Sequence, residues 1–270
     1  MPPKVSIVLT VYNAEKYIEQ SVGSILSQTF EDFEFLIVDD GSTDSTLKKL
    51  QQINDPRVRI IQQSNQGQTN ALITGIEKAQ GELIARIDAD DYSLPNRLKY
   101  QVEFMDKQPK VVLCGSRFQE LCGDDLFPQR VPFACTDDEI KNIISRYNPF
   151  AHSAAIYRRD AYFKAGGYAK SFIIGMDYDL WIRLMEIGEA HNIEEVFTVC
   201  RVHEESISMR NSRLKTLEGI KIRCRAYSKF GGNPLVTGFF LLKSIAGLVL
   251  PSWFKTSSAK ESFAQKGVNA

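Results

Sequence analysis

The stretch "ELIARIDADDYSLPNRL", residues 82 to 98, carries an apolar run straight into three carboxylates, Asp88, Asp90 and Asp91, with Arg86 just ahead of them. Side chains alternate along a strand. Ile84, Arg86, Asp88 and Asp90 therefore share one side, and Leu83, Ala85, Ile87 and Ala89 form a purely apolar other side. Two carboxylates on the same side stand roughly 6–7 Å apart. Each raises the pKa of the other unless a cation keeps both ionised. All-oxygen ligands suit a hard divalent ion, Mg2+ or Mn2+, which binds through one or two carboxylates plus a substrate's phosphates. The expected chemistry at this strand end is the holding of a metal-bound diphosphate. The competing reading makes these aspartates helix caps and exposed turn residues.

Other segments repeat the arrangement. "KVSIVLTVY", "FEFLIVDD" and "VRIIQQS" read as buried strands from their β-branched and apolar runs. Between them "AEKYIEQSVGSILSQ", "TDSTLKKLQQI" and "QTNALITGIEKAQ" read as helices, the second opened by Ser/Thr/Asp caps and the third closed by Gly81. "LPNRLKYQVEFMDKQ" reads as a helix with Pro95 in its first turn. Strands alternating with helices imply a parallel sheet covered on both faces. Ligands of such sheets bind outside the carboxyl ends of the strands. The polar residues gather there: Thr10, Tyr12 and Asn13 after the first strand, Asp39 and Asp40 after the second, Asn65 and Gly67 after the third, and the acidic cluster after the fourth.

Beyond residue 110 the pattern loosens. "VVLCGSRFQEL", "SAAIYRRD" and "EEVFTVCRVH" read as strands; "TDDEIKNIISRY", "RDAYFKAGGY" and "MDYDLWIRLMEIG" read as helices. One continuous sheet is expected. The 270 residues carry a formal net charge of zero, which gives no support to nucleic acid as a partner. Five cysteines without a CxxC pair fit a reduced cytoplasmic chain, and "KVSIVLTVYN" is too short for a signal peptide. Leu235–Leu250 is apolar apart from Lys243 and a few small polar residues, and it follows a strongly basic segment. It falls short of the roughly twenty residues of a spanning helix. Two readings stand: an interfacial anchor on an anionic membrane face through residues 209–255, or an amphipathic helix packed on the domain. Residues 251 to 270 read as disordered.

"SIVLTVYN", "LIVDDGSTDST", "SNQGQTNALITGI", "GELIARIDADDYSLPNRL" and "MDYDLWIRL", in this order, resemble the motifs of the family-2 inverting glycosyltransferases. The resemblance covers roughly residues 4 to 208. It implies a GT-A fold, an α/β architecture with a Rossmann-like, mostly parallel central sheet and helices on both faces, here followed by a C-terminal helical tail. The implied division is a glycosyltransferase domain over 1–208, with a nucleotide-binding half (1–105) and an acceptor or catalytic half (106–208), then a basic and apolar tail over 209–270.

The resemblance also implies roles. Thr10, Tyr12 and Asn13 would line the nucleotide pocket. Asp40, with Asp39 beside it, would accept the uracil imide N–H, as an ionised carboxylate can. Asn65 and Gly67 would shape the loop beside the nucleotide. Arg86 would meet phosphate or fix the acidic cluster. Asp88 would lie near ribose or donor sugar and share the metal with Asp90; Asp91 would cap the following helix. Asp177 would be the general base. Met176 stands where the family commonly carries Glu, and Asp179 is the second candidate base. Arg201 and His203, in "CRVHEESIS", would reach diphosphate or metal, and His152 and Ser153 would face the acceptor. The implied partners are a nucleotide-sugar donor, most simply a UDP-sugar, and a glycan or lipid-linked acceptor, with peripheral attachment to the inner membrane face.

Three alternatives are weighed on the residues. A catalytically inactive nucleotide-sugar or glycan-binding scaffold in a surface-polysaccharide complex would explain Met176, but Asp88, Asp90 and Asp177 are retained. A receiver-type signalling domain would place its acidic pair after the first strand, not the second. A sugar nucleotidyltransferase would want a Gly-rich phosphate loop that "TVYNAEKYI" lacks.

Overall fold

The computed structural model describes residues 2–203 and 212–249. The serines that follow His203 in "CRVHEESIS" and the expected disorder of residues 251 to 270 lie outside the described residues. The chain opens with β1 (Val5–Val11), α1 (Ile18–Leu26), β2 (Phe33–Asp39), α2 (Thr46–Leu50), β3 (Val58–Gln62), α3 (Gln68–Glu77) and β4 (Leu83–Asp88). The four strands are parallel, in the order β3-β2-β1-β4. Strand order thus reverses at β1, and the crevice past the ends of β1 and β4 is where an open sheet takes a ligand.

Strand alternation divides the core. Val5, Ile7, Leu9 and Val11 join Leu83, Ala85 and Ile87 in one apolar cluster; Val8, Leu36 and Ile84 join the other. Both faces of these strands are therefore buried, as their near-continuous apolar runs require.

The second half continues the same sheet less regularly. It comprises β5 (Tyr92–Ser93), α4 (Arg97–Lys107), β6 (Val111–Cys122), β7 (Asp125–Pro128), α5 (Asp137–Ile143), a 3-10 turn over His152–Ala154, β8 (Ile156–Arg158), α6 (Arg159–Lys164), α7 (Met176–Met185) and β9 (Glu189–Arg201). Among the described residues the sheet has nine strands, with β8 antiparallel between β4 and β6, then β9 and β5, and β7 paired to β6. β6 and β9 run parallel with register shifts near Ser116 and Arg117. Thr136 opens α5 with a reciprocal capping box to Glu139, as "TDDE" suggests.

Three local expectations need correction. α3 ends at Glu77, and Gly81 is instead required by close packing: a Cβ there would lie 2.5 Å from the Ser6 nitrogen. Pro95 precedes α4, whose cap is Asn96. Ser45 makes no side-chain cap for α2; the Asp44 carboxylate accepts from the Thr46 N–H at 2.9 Å instead.

The tail forms α8 (Ser212–Phe230) and α9 (Pro234–Val249). Ile222 and Ala226 of α8 pack into the same core cluster as Tyr178 and Trp181 of α7. α9 seats Thr237 against Ser145, their hydroxyls 3.2 Å apart, and Phe240 edge-on to Tyr147. Its other side leaves Leu235, Phe239 and Leu242 exposed by 84%, 63% and 67%. Among the described residues no helix is long and apolar enough to cross a membrane.

Candidate active site

A cavity of about 850 Å³ opens past the ends of β1, β2 and β4 and is walled on its other side by the start of α7 and the end of β9. Thr10, Tyr12, Asn13, Asp40, Asn65 and Gly67 line one part of it; Asp88, Asp90, His152, Asp177, Arg201 and His203 line the rest. Four expected residues do not line it: Asp39, Arg86, Ser153 and Asp179.

The residues expected on the nucleotide side are built into turns. Asn13 takes a left-handed conformation, which Asn tolerates. Its side-chain oxygen accepts from the Thr43 N–H at 2.7 Å, tying the end of β1 to the loop after β2. Asp39 accepts from the Ser42 N–H at 3.2 Å within that loop. Asp40 accepts from the Gln63 side chain (2.7 Å) and from the N–H groups of Gln66 (2.9 Å) and Gly67 (2.8 Å). Gly67 caps α3 at φ 84°, a conformation that favours glycine. Thr10 is buried with its hydroxyl lacking a partner, and it faces the cavity.

The acidic cluster is unequal in charge. Arg86, wholly buried behind the cavity, ion-pairs with Asp88 and donates to the Ile87 carbonyl. Burial would raise the Asp88 pKa, but Arg86 and the Ser153 hydroxyl hold it below the ordinary carboxylate value. The same Ser153 oxygen lies 3.1 Å from Asp88 and hydrogen-bonds Asp91, so Ser153 supports the cluster from behind. Asp90 and Asp91 are pushed up by burial and by neighbouring aspartates. Asp91 accepts from the Arg201 N–H at 2.7 Å, joining β9 to the cluster rather than capping α4. Arg201 lies over the Tyr17 ring, 4.5 Å from its centroid, and donates to the Asp90 carbonyl. His203 Nε2 is 2.8 Å from Asp90 Oδ2.

On the other wall, burial pushes the Asp177 pKa up to about 6, against the hydrogen bonds of the Tyr178 N–H and Asn148. Asn148 Nδ2 donates to Asp177 Oδ2 at 2.9 Å. His152 is held neutral, its pKa pushed down to about 3 by burial and Arg86, and it hydrogen-bonds Tyr168 at 2.7 Å. Asp179 faces away: it is buried between Arg183 (2.7 Å) and Arg225 (3.1 Å), so its carboxylate supports α7 against α8. Met176 packs in the core, its sulfur accepting from the Thr69 hydroxyl at 2.8 Å.

Residues 6–167 match the model of the family described as glycosyl transferase family 2. The chain belongs to this family. The amylovoran biosynthesis glycosyltransferase AmsE of Erwinia amylovora is 31% identical over 90% of this chain and 94% of its own length. Among solved structures, S. aureus TarS in complex with UDP-GlcNAc superposes with a TM-score of 0.72 at 18% identity, covering 96% of this chain and 77% of that one. The mannosyltransferase PcManGT of Pyrobaculum calidifontis, in complex with GDP-Man and Mn2+, gives 0.66 at 17% identity, over 98% and 82%. The fold is GT-A, and the protein is a glycosyltransferase.

Several residues that the motifs give no role support the site. Asn148 lies outside every quoted segment that carries the base. Gln68 donates to Asp88 at 2.9 Å from the first turn of α3. Arg97 looks like a solvated helix residue, yet it is wholly buried and donates to the carbonyls of Arg86 (2.9 Å) and Ala155 (3.0 Å). Polar residues on an otherwise core-facing helical stripe, such as Arg97 and Gln101, are the one signal that could have found it.

The residues expected to hold a divalent ion suit one chemically. Asp88 and Asp90 supply hard oxygens and His203 an imidazole. Burial and neighbouring aspartates raise Asp90 and Asp91, and His203 Nδ1 is buried without a partner among the described residues. Among those residues no three His, Cys, Asp or Glu groups stand ready as a complete ligand set. Phosphate oxygens and waters would complete any coordination, as is usual for such ions.

Proposed function

We propose that this glycosyltransferase moves a hexosyl or N-acetylhexosaminyl unit from a UDP-sugar to a hydroxyl of a glycan or lipid-linked acceptor, with inversion and with Mn2+ or Mg2+. The observation that carries the reading is that Asp177, half-titrated near pH 6, shares one cavity with the Asp40 loop and the Asp88–Asp90 cluster. Asp177 takes the proton of the acceptor hydroxyl as that oxygen attacks the anomeric carbon. A base with a pKa just below neutrality is ionised at pH 7 and still able to accept a proton, which is where general bases work best. Asn148 aims it. Asp88, kept charged by Arg86, and Asp90, with His203, would hold the cation, which when bound offsets charge developing on the leaving diphosphate. Arg201 adds positive charge on the same side. Thr10 offers a free hydroxyl to the nucleotide. The nucleotide assignment is supported by TarS, solved with UDP-GlcNAc, and the metal by PcManGT, solved with Mn2+. A relative named for amylovoran biosynthesis supports a polysaccharide acceptor.

The tail suits a lipid-linked acceptor. The tail exposes Leu235, Phe239 and Leu242 on α9 and, along α8 and α9, Arg213, Lys215, Lys221 and Lys243. This pairing of apolar face and positive charge fits an anionic bilayer surface. Co-sedimentation with phosphatidylglycerol vesicles, weakened by Phe239→Asp and by salt, tests it; protein that stays in the supernatant at low salt rejects it.

A panel of UDP-, dTDP- and GDP-sugars, read by released nucleotide with and without EDTA, tests the reaction. Release from a UDP-sugar that EDTA abolishes and Mn2+ restores is expected. No release from any donor with any glycan acceptor, while UDP still binds, would favour the inactive scaffold.

A further inference from the structure

The tail helix α8 packs on α7, and one of its contacts there is a buried carboxylate. Glu218 is the only acidic residue between 209 and 249. Among the described residues it forms no ion pair with the tail's many cations. It is buried, 4% exposed, and its two oxygens accept three backbone N–H groups: Ile173 at 2.9 Å on Oε1, and Ile174 at 2.9 Å and Gly175 at 2.8 Å on Oε2. Those residues lead directly into α7. Gly175 is the cap of that helix and has no side chain to cap it with. Glu218 therefore pins, from another helix, the three residues that lead into α7, and it sets a negative charge near the positive end of that helix's dipole.

The packing around the contact is close. A Cβ on Gly175 would lie 2.5 Å from Ile222 Cδ1, one turn along α8 from Glu218. Ile222 is itself in the core. What Glu218 holds is functional wall: Ile173, Ile174 and Met176 line the cavity, and Asp177 is the second residue of α7. Its hydrogen bonds among the described residues go to this segment and to none of the residues at the ends of β1, β2 and β4.

We infer that Glu218 is a positioning residue for Asp177: it fixes the entry into α7, and so the base, without touching the donor site. This rests on Asp177 being the base. A carboxylate bound by three N–H groups has no neutral substitute, since the amide of Gln would turn an N–H2 toward backbone N–H groups. A misplacement of about 1 Å at a reacting group can cost about a hundredfold in rate.

The test uses the full chain with Glu218→Gln, Glu218→Asp and Asp177→Asn, reading kcat, KM for donor, UDP binding by calorimetry and the pH profile. Glu218→Gln should lower kcat by roughly 10- to 100-fold with UDP binding and donor KM unchanged, and Glu218→Asp should recover part of the loss. Loosening the 173–176 wall admits water to Asp177. Because burial is what raises its pKa, the acid limb of kcat should move to lower pH. Wild-type kcat in Glu218→Gln, beside an inactive Asp177→Asn, overturns the positioning role and leaves the base standing. Full turnover in Asp177→Asn overturns the base, and the positioning role with it. If both Glu218 variants lose UDP binding in step with kcat, Glu218 serves the fold as a whole and the inference fails.

Discussion

The end of β4 and the start of α7 each deliver a partly buried carboxylate to one cavity, and they treat it in opposite ways. Asp88 has a guanidinium two residues upstream on the same side of the strand, and Arg86 keeps it charged. Asp177 forms no ion pair among the described residues. Its partners are the Asn148 amide and a backbone N–H, and burial wins, leaving the group near pKa 6. The same residue type thus becomes a fixed charge in one place and a titratable group in the other. A fixed charge suits the binding of a cation and a diphosphate; a titratable one suits proton transfer. The comparison also separates two styles of construction. The acidic residues and the arginine of the β4 site come from one short run, residues 86 to 91, though Ser153, Arg201 and His203 join them, while the α7 site is assembled from Asn148, the 173–176 segment and Glu218 of the tail.

The sharpest way to break the comparison is Asp177→Asn. If Asp177 only takes protons, kcat should fall by ~10²–10⁴-fold, while calorimetry finds UDP binding as in the parent. Equal losses of binding and turnover would make the two carboxylates alike in role.

Removing the cation that distinguishes them comes next. Arg86→Met strips Asp88 of its partner inside the protein. Breaking a buried pair by removing one side costs about 3–5 kcal/mol, and the partial exposure of Asp88, 26%, argues for the lower end. Denaturant unfolding should show that loss, with weaker UDP–Mn2+ binding. A change below about 1 kcal/mol would mean that Asp88 is not held by Arg86 and that its charge has another source.

How much of this could be read from the residues follows the same division. The apolar runs of β1 to β4 and the alternation Ile84–Arg86–Asp88 fix strand faces locally, so these four strands and their acidic end were legible. Arg86 was expected either at phosphate or behind the cluster; only packing decides between these, because both lie on the same strand side. Asp179 sits two residues from Asp177 and looks equally available. Its burial between Arg183 and Arg225 depends on α8, which arrives from more than forty residues away. Ser153 and Asp91 were assigned to acceptor and cap, yet they face each other across the sheet junction. Gly81 shows the same limit on a smaller scale: its reason is the approach of β1, not the end of its own helix.

The mildest perturbation concerns the one specific donor to Asp177 from a side chain. With a base of pKa about 6, kcat should fall about tenfold for each pH unit below that value and level off above it. Asn148→Ala removes an N–H that favours the ionised carboxylate. The sign follows directly: the charged form loses support, the pKa rises, and the acid limb should shift up by a few tenths of a unit to about one unit. Near pH 8 the variant should work almost as well as the parent; near pH 6 it should lag. Glu218→Gln, by admitting water, should shift the same limb down. Two substitutions flanking one carboxylate from different elements would then move one titration in opposite directions. Asp88 offers no such handle, because with Arg86 in place no pH between 5 and 8 discharges it. A limb that moved the same way in both variants would mean that Asn148 and Glu218 act through a common collapse of the wall, and the aimed-base picture of the α7 site would go.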